Sequence, residues 1–333
     1  MKSGMRAMRV HRWGEPPVLE QCTAPREAAG CSIVRIEAAT VGHLDRTIWS
    51  GGFLRPPPLP YTPGVDGAGV ILRGDTFAPG TRVWLRGGGL GIACDGTWAE
   101  QVSVPDHAIG VLPDNVSFEL GAAFFSPCTS AWVALREVGR VRAGERVAVT
   151  GAAGAVGAIA CQLAREAGAS VTGIVGDAAR AARLAPGVAP LVLPRGATEA
   201  PASFAADLLI DTVGGPVLAA LLPRIAPGGR AVLVGYLGGH ALALDLPAFI
   251  QRDVSLLPLN MIRREAAGRA AAPALLERLG AGELVLEVTS FALEQAAAAL
   301  DWLGTPGHSG RAVLLPNPGR RDRRLAGRAA SRR

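Results

Sequence analysis

A glycine-rich turn between a predicted strand and a predicted helix constrains this chain most. Residues 147–157 read Val-Ala-Val-Thr-Gly-Ala-Ala-Gly-Ala-Val-Gly. The β-branched residues of Arg146–Thr150 predict a strand, and the apolar spacing of Ala155–Ala167 predicts a helix. A helix N-terminus presents unpaired N–H groups and the positive end of its dipole, which together favour a pyrophosphate. Gly154 would let the backbone approach the phosphates, and Gly157 would let the helix pack closely on the strand.

The turn departs in one place from the dinucleotide pattern G-x-G-x-x-G, because Ala152 stands where the first glycine would be and Gly151 precedes it. An ordinary glycine turn is the alternative interpretation. The surrounding sequence favours the dinucleotide site, because strands and helices alternate and so predict a parallel sheet with helices on both faces. The predicted elements are strands Ser170–Val175, Asp207–Ile210 and Ala231–Val234 and helix Ala178–Leu184.

The pattern of apolar residues along the chain changes near residue 140. Before Ser126, short apolar runs are separated by Gly and Pro, which is typical of a β-rich, partly open barrel. These runs are Ser32–Ala38, Gly67–Leu72, Arg82–Leu85 and Trp98–Val104. Near the C-terminus the pattern predicts a helix at Ala266–Gly280 and a strand at Arg311–Leu315.

The formal charge of the 333-residue chain, +6 at pH 7, comes from its C-terminus. The residues after Gly319 contain seven arginines and one aspartate, so residues 1–319 are formally neutral. A neutral body disfavours nucleic acid as a partner. Residues 317–333 lack apolar periodicity and are predicted to form a disordered basic tail with at most a weak electrostatic role.

The compartment is predicted from cysteines and from apolar segments. The five cysteines are scattered and contain no CxxC pair, which predicts reduced thiols and a cytoplasmic location. No segment has the length and apolarity of a membrane span, and the N-terminus lacks a signal-peptide pattern, so we expect no membrane partner.

The end of the second predicted strand of this region bears on which dinucleotide binds. An NAD site usually carries an acid there for the ribose hydroxyls, but Val175 and Gly176 are neutral. Arg180 and Arg183 follow, and an arginine can pair with a 2′-phosphate. NADPH is therefore the predicted cofactor. Asp177 is the contrary observation, unless it caps the following helix.

Several segments together resemble the medium-chain dehydrogenase/reductase superfamily, specifically its zinc-independent, quinone oxidoreductase-like branch. The likeness runs from about Met8 to Pro316. Besides the glycine turn, it is carried by Tyr-Thr-Pro-Gly-Val-Asp-Gly-Ala-Gly-Val at 61–70, Gly-Thr-Trp-Ala-Glu at 96–100, Leu-Pro-Asp-Asn-Val-Ser at 112–117, Asp-Thr-Val-Gly-Gly at 211–215, Leu-Val-Gly at 233–235 and Gly-Arg-Ala-Val-Leu at 310–314.

The resemblance implies an α/β chain with a GroES-like β-rich domain and a Rossmann domain that has a doubly wound parallel sheet. Residues 1–126 and 263–316 would form the GroES-like substrate domain, and residues 127–262 the NADPH-binding domain. It also implies a homodimer and a small-molecule substrate. The residues placed on the cofactor are Ser130, Gly151, Gly154, Ala155, Val156, Gly157, Gly176, Arg180, Gly214, Gly235, Tyr236, Leu259, Asn260 and Met261.

Zinc-dependent relatives carry a catalytic Cys and a Gly-His-Glu, and the corresponding segments in this chain lack these ligands. Gly42 stands where the Cys would be, and Val65 where the His would be. Four clustered cysteines for a structural zinc are also absent from the sequence. Because zinc needs three protein ligands at a catalytic site and four at a structural one, we predict no metal.

Other departures concern groups that could donate a proton. The family's Asn in Val-Asn-x-x-Asp is Gly42, although Asp45 is kept and is expected to hold the loop. Phe53 stands where enoyl-thioester reductases place a tyrosine, and Thr47 replaces another. No catalytic residue is assigned. The candidates are His43, Thr47, Tyr61 and Tyr236, with a structural role as the alternative for His43.

Three functions remain open on the sequence alone. The first is a metal-free reductase that moves hydride from NADPH to a quinone or an α,β-unsaturated carbonyl. The second is an enoyl-thioester reductase of a biosynthetic pathway. The third is a non-catalytic NADPH-binding protein, which the altered residues at 42, 47 and 53 would fit.

Overall fold

The computed structural model describes residues 4–194, 196–305 and 307–317. The chain divides into two compact units. The β-rich unit comprises Met1–Phe125, Leu276–Glu283 and Glu287–Arg333, and the α/β unit comprises Ser126–Leu275 and Leu284–Leu286. The tail predicted at 317–333 lies, from Pro318 onward, outside the described residues.

Strands outnumber α-helices in the described part of the chain. The strands are β1 (Gly4–Arg9), β2 (Val18–Thr23), β3 (Cys31–Val41), β4 (Asp66–Arg73), β5 (Arg82–Arg86), β6 (Gln101–Pro105), β7 (Ile109–Val111), β8 (Arg146–Thr150), β9 (Ser170–Val175), β10 (Ala189–Val192), β11 (Ala206–Asp211), β12 (Ile225–Leu233), β13 (Ser255–Pro258), β14 (Val288–Ala292) and β15 (Arg311–Leu315). The α-helices are α1 (His43–Trp49), α2 (Phe118–Ala123), α3 (Ser130–Val133), α4 (Ala155–Glu166), α5 (Ala178–Ala181), α6 (Gly215–Leu221), α7 (Leu246–Arg252), α8 (Glu265–Ala281) and α9 (Ala296–Trp302).

The β-rich unit is built on a mostly antiparallel sheet in the order β14-β15-β3-β4-β5-β7, with β6 also paired to β3. Its core contains Ile36, Ile71, Leu85 and Trp98, all nearly inaccessible to solvent. The Trp98 indole satisfies its buried N–H by donating to the Thr40 carbonyl at 2.7 Å. The last described strand, β15, lies inside this sheet between β14 and β3.

One strand of this unit starts later than the apolar pattern predicts. The pattern begins at Trp98, whereas β6 begins at Gln101. Trp98 and Ala99 pair elsewhere, since Met8 N donates to Trp98 O at 2.8 Å and Ala7 bridges Ala99. The apolar pattern indicates which residues are extended and paired, but it does not show which segment they pair with.

The α/β unit contains a fully parallel sheet in the order β10-β9-β8-β11-β12-β13. This confirms the predicted doubly wound architecture. Strands β8 and β9 have the predicted bounds, whereas β12 begins at Ile225, six residues before the predicted Ala231. Its first part was missed because Pro227-Gly-Gly interrupts the apolar run, and the pairing register shifts at the same place.

The boundaries of the units differ from the expected domains at the C-terminal side. The chain first passes from the β-rich unit into the α/β unit between Phe125 and Ser126, next to the expected boundary at 126/127. The return was expected at residue 263, but the chain joins the β-rich unit at Leu276, within α8. The whole of α8 is one continuous helix, so no loop marks this crossing. Among the described residues, no helix is long and apolar enough to cross a bilayer.

Candidate functional site

The glycine turn of the α/β unit joins the carboxyl end of β8 to the first residue of α4. Gly151 has a positive φ of 60°, which favours glycine. Gly157 is buried against the turn, since a Cβ there would lie 2.2 Å from the Gly151 carbonyl oxygen. A Cβ at the exposed Gly154 would meet only that oxygen, at 3.2 Å. The turn therefore has a tightly packed inner side and an open outer side.

A buried hydrogen-bond network ties this turn to the next strand. Asp211, at the end of β11, is fully inaccessible and accepts from the Thr150 hydroxyl at 2.7 Å and from Gly214 N at 2.9 Å. Thr212 N donates to the same Thr150 hydroxyl at 2.8 Å, and the Thr212 hydroxyl donates to Thr150 O at 2.7 Å. Burial raises the pKa of Asp211, and these hydrogen bonds oppose the rise.

Three of the proposed cofactor residues meet at the carboxyl ends of β11 and β12. Gly214 has a φ of 72°, and a Cβ on it would lie 3.0 Å from the Tyr236 Cα and 3.2 Å from the Gly235 carbonyl oxygen. The Tyr236 side chain is exposed, with its ring centroid 5.1 Å from that of His240. Together with the turn after β8, these loops line one edge of the parallel sheet, where open α/β sheets bind ligands.

The end of β9, the strand next to β8, carries the predicted arginine. A Cβ built on Gly176 would have the Arg180 Nη1 as its nearest neighbour, at 3.6 Å. Asp177 caps α5 by accepting from Arg180 N at 2.8 Å, which confirms the capping interpretation. The Arg180 Nε lies 3.8 Å from Asp177 Oδ2. The guanidinium is thus held over the strand end, and Asp177 is engaged locally.

Ser130 and the 259–261 segment occupy other parts of the α/β unit. Ser130 begins α3 and is buried. Leu259 N donates to Leu233 O at 3.0 Å, which holds the segment beside β12. The side-chain carbonyl of Asn260 accepts from Ile262 N at 3.0 Å and Arg263 N at 3.2 Å, so it shapes a turn. The nicotinamide roles that the resemblance implies for these residues stay predictions.

In the β-rich unit, Asp45 holds the loop before α1 to the start of β4. Its two carboxylate oxygens accept from Gly42 N at 2.8 Å and from Val65 N at 3.0 Å, which confirms the expected role. Burial, reinforced by the nearby Asp66 carboxylate, raises the pKa of Asp45 to about 6, against the effect of the two hydrogen bonds.

Arg311 fills the space that a side chain at position 42 would occupy. A Cβ built on Gly42 would lie 2.9 Å from the Arg311 Nη1 and 3.3 Å from its Cζ. The same guanidinium lies 3.8 Å from Asp66, whose other oxygen accepts from Arg86 at 2.9 Å. Arg311 was not among the residues that the sequence marked as functional. The signal that could have pointed to it was the loss of a side chain at Gly42.

Three of the four catalytic candidates belong to the β-rich unit. The pKa of His43 is lowered to about 4, mainly by burial and further by the charges of Arg311, His308 and Arg46. Its ring is therefore neutral at pH 7. The exposed Thr47 donates its hydroxyl to the His43 carbonyl at 2.9 Å. Tyr61 is only 2% exposed, and within the described part of the chain its buried hydroxyl has no hydrogen-bond partner. Burial and Asp45 raise the pKa of Tyr61.

The described residues also bear on metal binding. Over residues 4–194, 196–305 and 307–317, no three His, Cys, Asp or Glu side chains are grouped so as to hold a metal ion. Val65, at the position of a ligating histidine, is 3% exposed and packs with Tyr61 in an apolar cluster. The described residues thus lack the three ligands that a catalytic zinc requires.

Two sequence families match the chain. The alcohol dehydrogenase GroES-like domain matches residues 28–114, and the zinc-binding dehydrogenase family matches residues 155–279. A β-rich unit joined to a six-stranded parallel sheet with a glycine turn defines an oxidoreductase of the medium-chain dehydrogenase/reductase type, which uses a nicotinamide cofactor.

Comparison with known proteins shows to which branch of this superfamily the chain belongs. A human quinone oxidoreductase is 32% identical over 256 residues, covering 70% of this chain and 74% of the relative. A quinone oxidoreductase from Pongo abelii is 37% identical, but the match spans only 52% of this chain and 53% of the relative. The structure of the Pseudomonas syringae pv. Tomato DC3000 quinone oxidoreductase is similar with a TM-score of 0.80 at 26% identity, covering 94% of this chain and 100% of that one. The chain belongs to the quinone oxidoreductase-like branch of the superfamily.

Proposed function

We propose that this protein is a metal-free, NADPH-dependent reductase of quinones or α,β-unsaturated carbonyl compounds. The observation that carries the cofactor choice is the Arg180 guanidinium over Gly176, at a strand end without a ribose-binding carboxylate. The acceptor class is taken from the quinone oxidoreductases that the chain resembles. The absence of three metal ligands among the described residues supports chemistry without zinc.

The described residues fit a dinucleotide. Gly154 is exposed, and the nearest protein atom to a Cβ there is 3.2 Å away, so the outer side of the turn is open to a pyrophosphate. The unpaired N–H groups at the start of the 12-residue helix α4 would hold the phosphate oxygens. Arg180 would pair with the 2′-phosphate. The Asp211–Thr150 network keeps the adjacent loops in register for the rest of the cofactor.

When bound, the dinucleotide supplies the hydride. The protein binds and orients the acceptor and manages the charge that develops on its oxygen. Tyr61 is suited to hold an acceptor carbonyl, since its hydroxyl lacks a partner among the described residues and the raised pKa keeps it protonated. His43 is neutral at pH 7 and is not suited to donate a proton as a cation. Water would protonate the reduced acceptor.

The cofactor assignment is tested by titrating the purified protein with NADPH and NADH. A charge-assisted bond to a 2′-phosphate contributes about 1.5–3 kcal/mol, or roughly ten- to a hundredfold in affinity. We expect Arg180→Ala to remove most of the NADPH preference while leaving NADH affinity nearly unchanged. The matched control is Arg142→Ala, which removes an exposed cation just before the amino end of β8. Equal loss for both cofactors, or no preference in the parent protein, would refute the phosphate assignment.

The acceptor class is tested by screening NADPH oxidation against quinones, enones and enoyl thioesters. Turnover of quinones or enones alone supports the proposal. Turnover of enoyl thioesters alone would make the chain an enoyl-thioester reductase, and tight NADPH binding without any turnover would make it a binding protein.

We also propose that the protein is a cytoplasmic homodimer. Sedimentation of the purified chain tests whether it is a dimer.

A further inference from the structure

A cavity in the α/β unit lies between the end of α6 and the helix α7. It encloses about 430 Å³, counted out to its open mouth. Seven of its nine lining residues are apolar, and the other two, Asp245 and Arg252, are charged. A concave, mainly apolar site with a few polar groups is the usual form of a small-molecule site. The cavity is therefore a candidate ligand site that the proposed reaction does not use.

The cavity runs along α7. The lining residues of this helix and its N-terminal cap are Asp245, Ala248, Phe249 and Arg252. They share one face of the helix, since the spacing between turns is three or four positions. At 1.5 Å per residue, the positions from Asp245 to Arg252 span about 10 Å. The opposite wall comes from the end of α6 and the 3-10 helix Leu222–Arg224 that follows it. The two charges thus stand at opposite ends of an apolar channel.

The positive end of this channel is a guanidinium that the described residues leave largely unbonded. Arg252 Nη2 donates to the Ile225 carbonyl. The Arg252 Nε is buried and has no hydrogen-bond partner among the described residues, where no carboxylate pairs with the guanidinium either. An arginine offers five N–H donors, and burying one without an acceptor is unfavourable. This end of the cavity therefore favours an anion with acceptor oxygens.

The negative end of the channel is already satisfied. Asp245 Oδ1 accepts from Ala248 N at 3.2 Å and so caps α7. Asp245 is also exposed, so water solvates the rest of its carboxylate. The charge that lacks a partner within the described chain is therefore the cation of Arg252.

The cavity belongs to the edge of the parallel sheet opposite the glycine turn. After the carboxyl end of β11, α6 and the 3-10 helix return the chain to the amino end of β12 at Ile225. Arg252 ends α7 just before the amino end of β13. Its bond to Ile225 places the guanidinium at the amino edge of the sheet, whereas the glycine turn follows the carboxyl end of β8.

We propose that this cavity binds a small monocarboxylate with an unbranched apolar chain. The carboxylate accepts N–H bonds from Arg252, and the chain lies along α7 between Leu222 and Phe249. Bonds between a guanidinium and a carboxylate are strengthened by both charges, and removing the hydrocarbon chain from water adds to the affinity. The inference goes beyond the proposed reaction, since it concerns a second ligand that binds without covalent change.

Isothermal titration calorimetry of the full chain tests the site, with octanoate as the probe. Octanamide is the matched neutral probe, because it has the same chain and no charge. We expect octanoate to bind roughly tenfold or more tightly than octanamide at pH 7, as a charge-assisted hydrogen bond predicts. Saturating NADPH should leave the octanoate affinity unchanged, because the cofactor is expected at the other edge of the sheet.

Two variants address the two parts of the site. Arg252→Gln removes the charge, so it should weaken octanoate roughly tenfold and leave octanamide nearly unchanged. Ala248→Leu keeps Arg252 but fills the cavity from an exposed helical position, so it should weaken both probes. The matched control is Arg224→Gln, which removes a guanidinium that donates to Ala200 O at 3.2 Å and does not line the cavity. It should leave both affinities unchanged. Melting temperatures show whether each variant is folded.

The outcomes separate this site from the other possibilities. Equal affinity for the two probes, unchanged octanoate binding in Arg252→Gln, or displacement of octanoate by NADPH would each overturn the proposal. Failure of the parent protein to bind octanoate would also overturn it, and a different sedimentation of Ala248→Leu would then show that a second copy covers the cavity. None of these outcomes depends on turnover. Octanoate binding at Arg252 in a chain that reduces no quinone or enone would support the site and refute the proposed reaction.

Discussion

Replacing Asp45 by Asn should change the pH dependence of stability in a direction fixed by burial. Asp45 is 1% exposed, and its carboxylate accepts two backbone hydrogen bonds. The two hydrogen bonds favour the ionised form, whereas burial and Asp66 favour the protonated form. Burial dominates, because the pKa is raised from 3.8 to about 6.

The sign and the size of this pH effect on the free energy of unfolding follow from the linkage between proton binding and folding. Because the folded pKa lies above the unfolded one, the folded state binds the proton more tightly, and this stabilisation is complete only below the unfolded pKa. It is lost as the pH rises through about 6. A rise of this size corresponds to roughly 3 kcal/mol in total, of which about 2 kcal/mol falls between pH 4.5 and 7.5. The stability of the parent protein relative to Asp45→Asn should decrease by that amount over this range.

The assay uses the distribution of tryptophans. Of the six tryptophans, Trp132 alone lies in the α/β unit, so Trp132→Phe makes the fluorescence report on the β-rich unit. Urea unfolding is followed by that fluorescence at several pH values, with and without Asp45→Asn, and the two free energies of unfolding are subtracted. Other titrating groups cancel in the difference. Ile48→Val, in the same helix, is the control and should shift stability by about 0.5–1.5 kcal/mol equally at every pH.

Two results would refute this reasoning. A difference that stays constant with pH would mean that the pKa of Asp45 is the same in both states. A difference that increases with pH would mean that the two backbone hydrogen bonds outweigh burial and that Asp45 is held ionised.

Two further predictions concern the packing of the glycine turn and the zinc content of the protein. Gly157→Ala would place a Cβ 2.2 Å from the Gly151 carbonyl oxygen, so we expect urea unfolding to show a loss of about 1–3 kcal/mol and nucleotide titration a clear loss of affinity. Gly154→Ala, with its nearest atom at 3.2 Å, should lose less stability, and an equal loss would contradict the packing argument. Elemental analysis should find no stoichiometric zinc, and chelators should leave activity and melting temperature unchanged, whereas about one tightly held zinc per chain would demand a ligand set that the described residues lack.

The sequence predicted the parts of the site whose causes are local. The turn at Gly151–Gly157 was predictable because steric rules act within a few residues, and Asp177 was identified as a possible cap for the same reason. Strand β8 was placed correctly because its apolar run is uninterrupted. The start of β12 was missed where Pro and Gly break the pattern.

The parts that were missed depend on pairing between distant segments. Asp211 bonds Thr150 across 61 positions, and no local pattern reports such a contact. Arg311 reaches Gly42 only because β15 pairs with β3 in one register. The sequence showed that a side chain was missing at 42, but not which group occupies its place.

The position of β15 inside its sheet has a consequence for how the chain is made. Residues 39–41 of β3 obtain their partners from residues 312–314, which leave the ribosome some 270 positions later. Until then this edge of β3 exposes unpaired N–H and C=O groups, a state that invites pairing with other chains. The β-rich unit can complete its sheet, and bring Arg311 to Gly42, only after β15 has been synthesised. This edge of β3 must therefore stay unpaired while the whole α/β unit is translated, so we expect the β-rich unit to complete its fold later than the α/β unit.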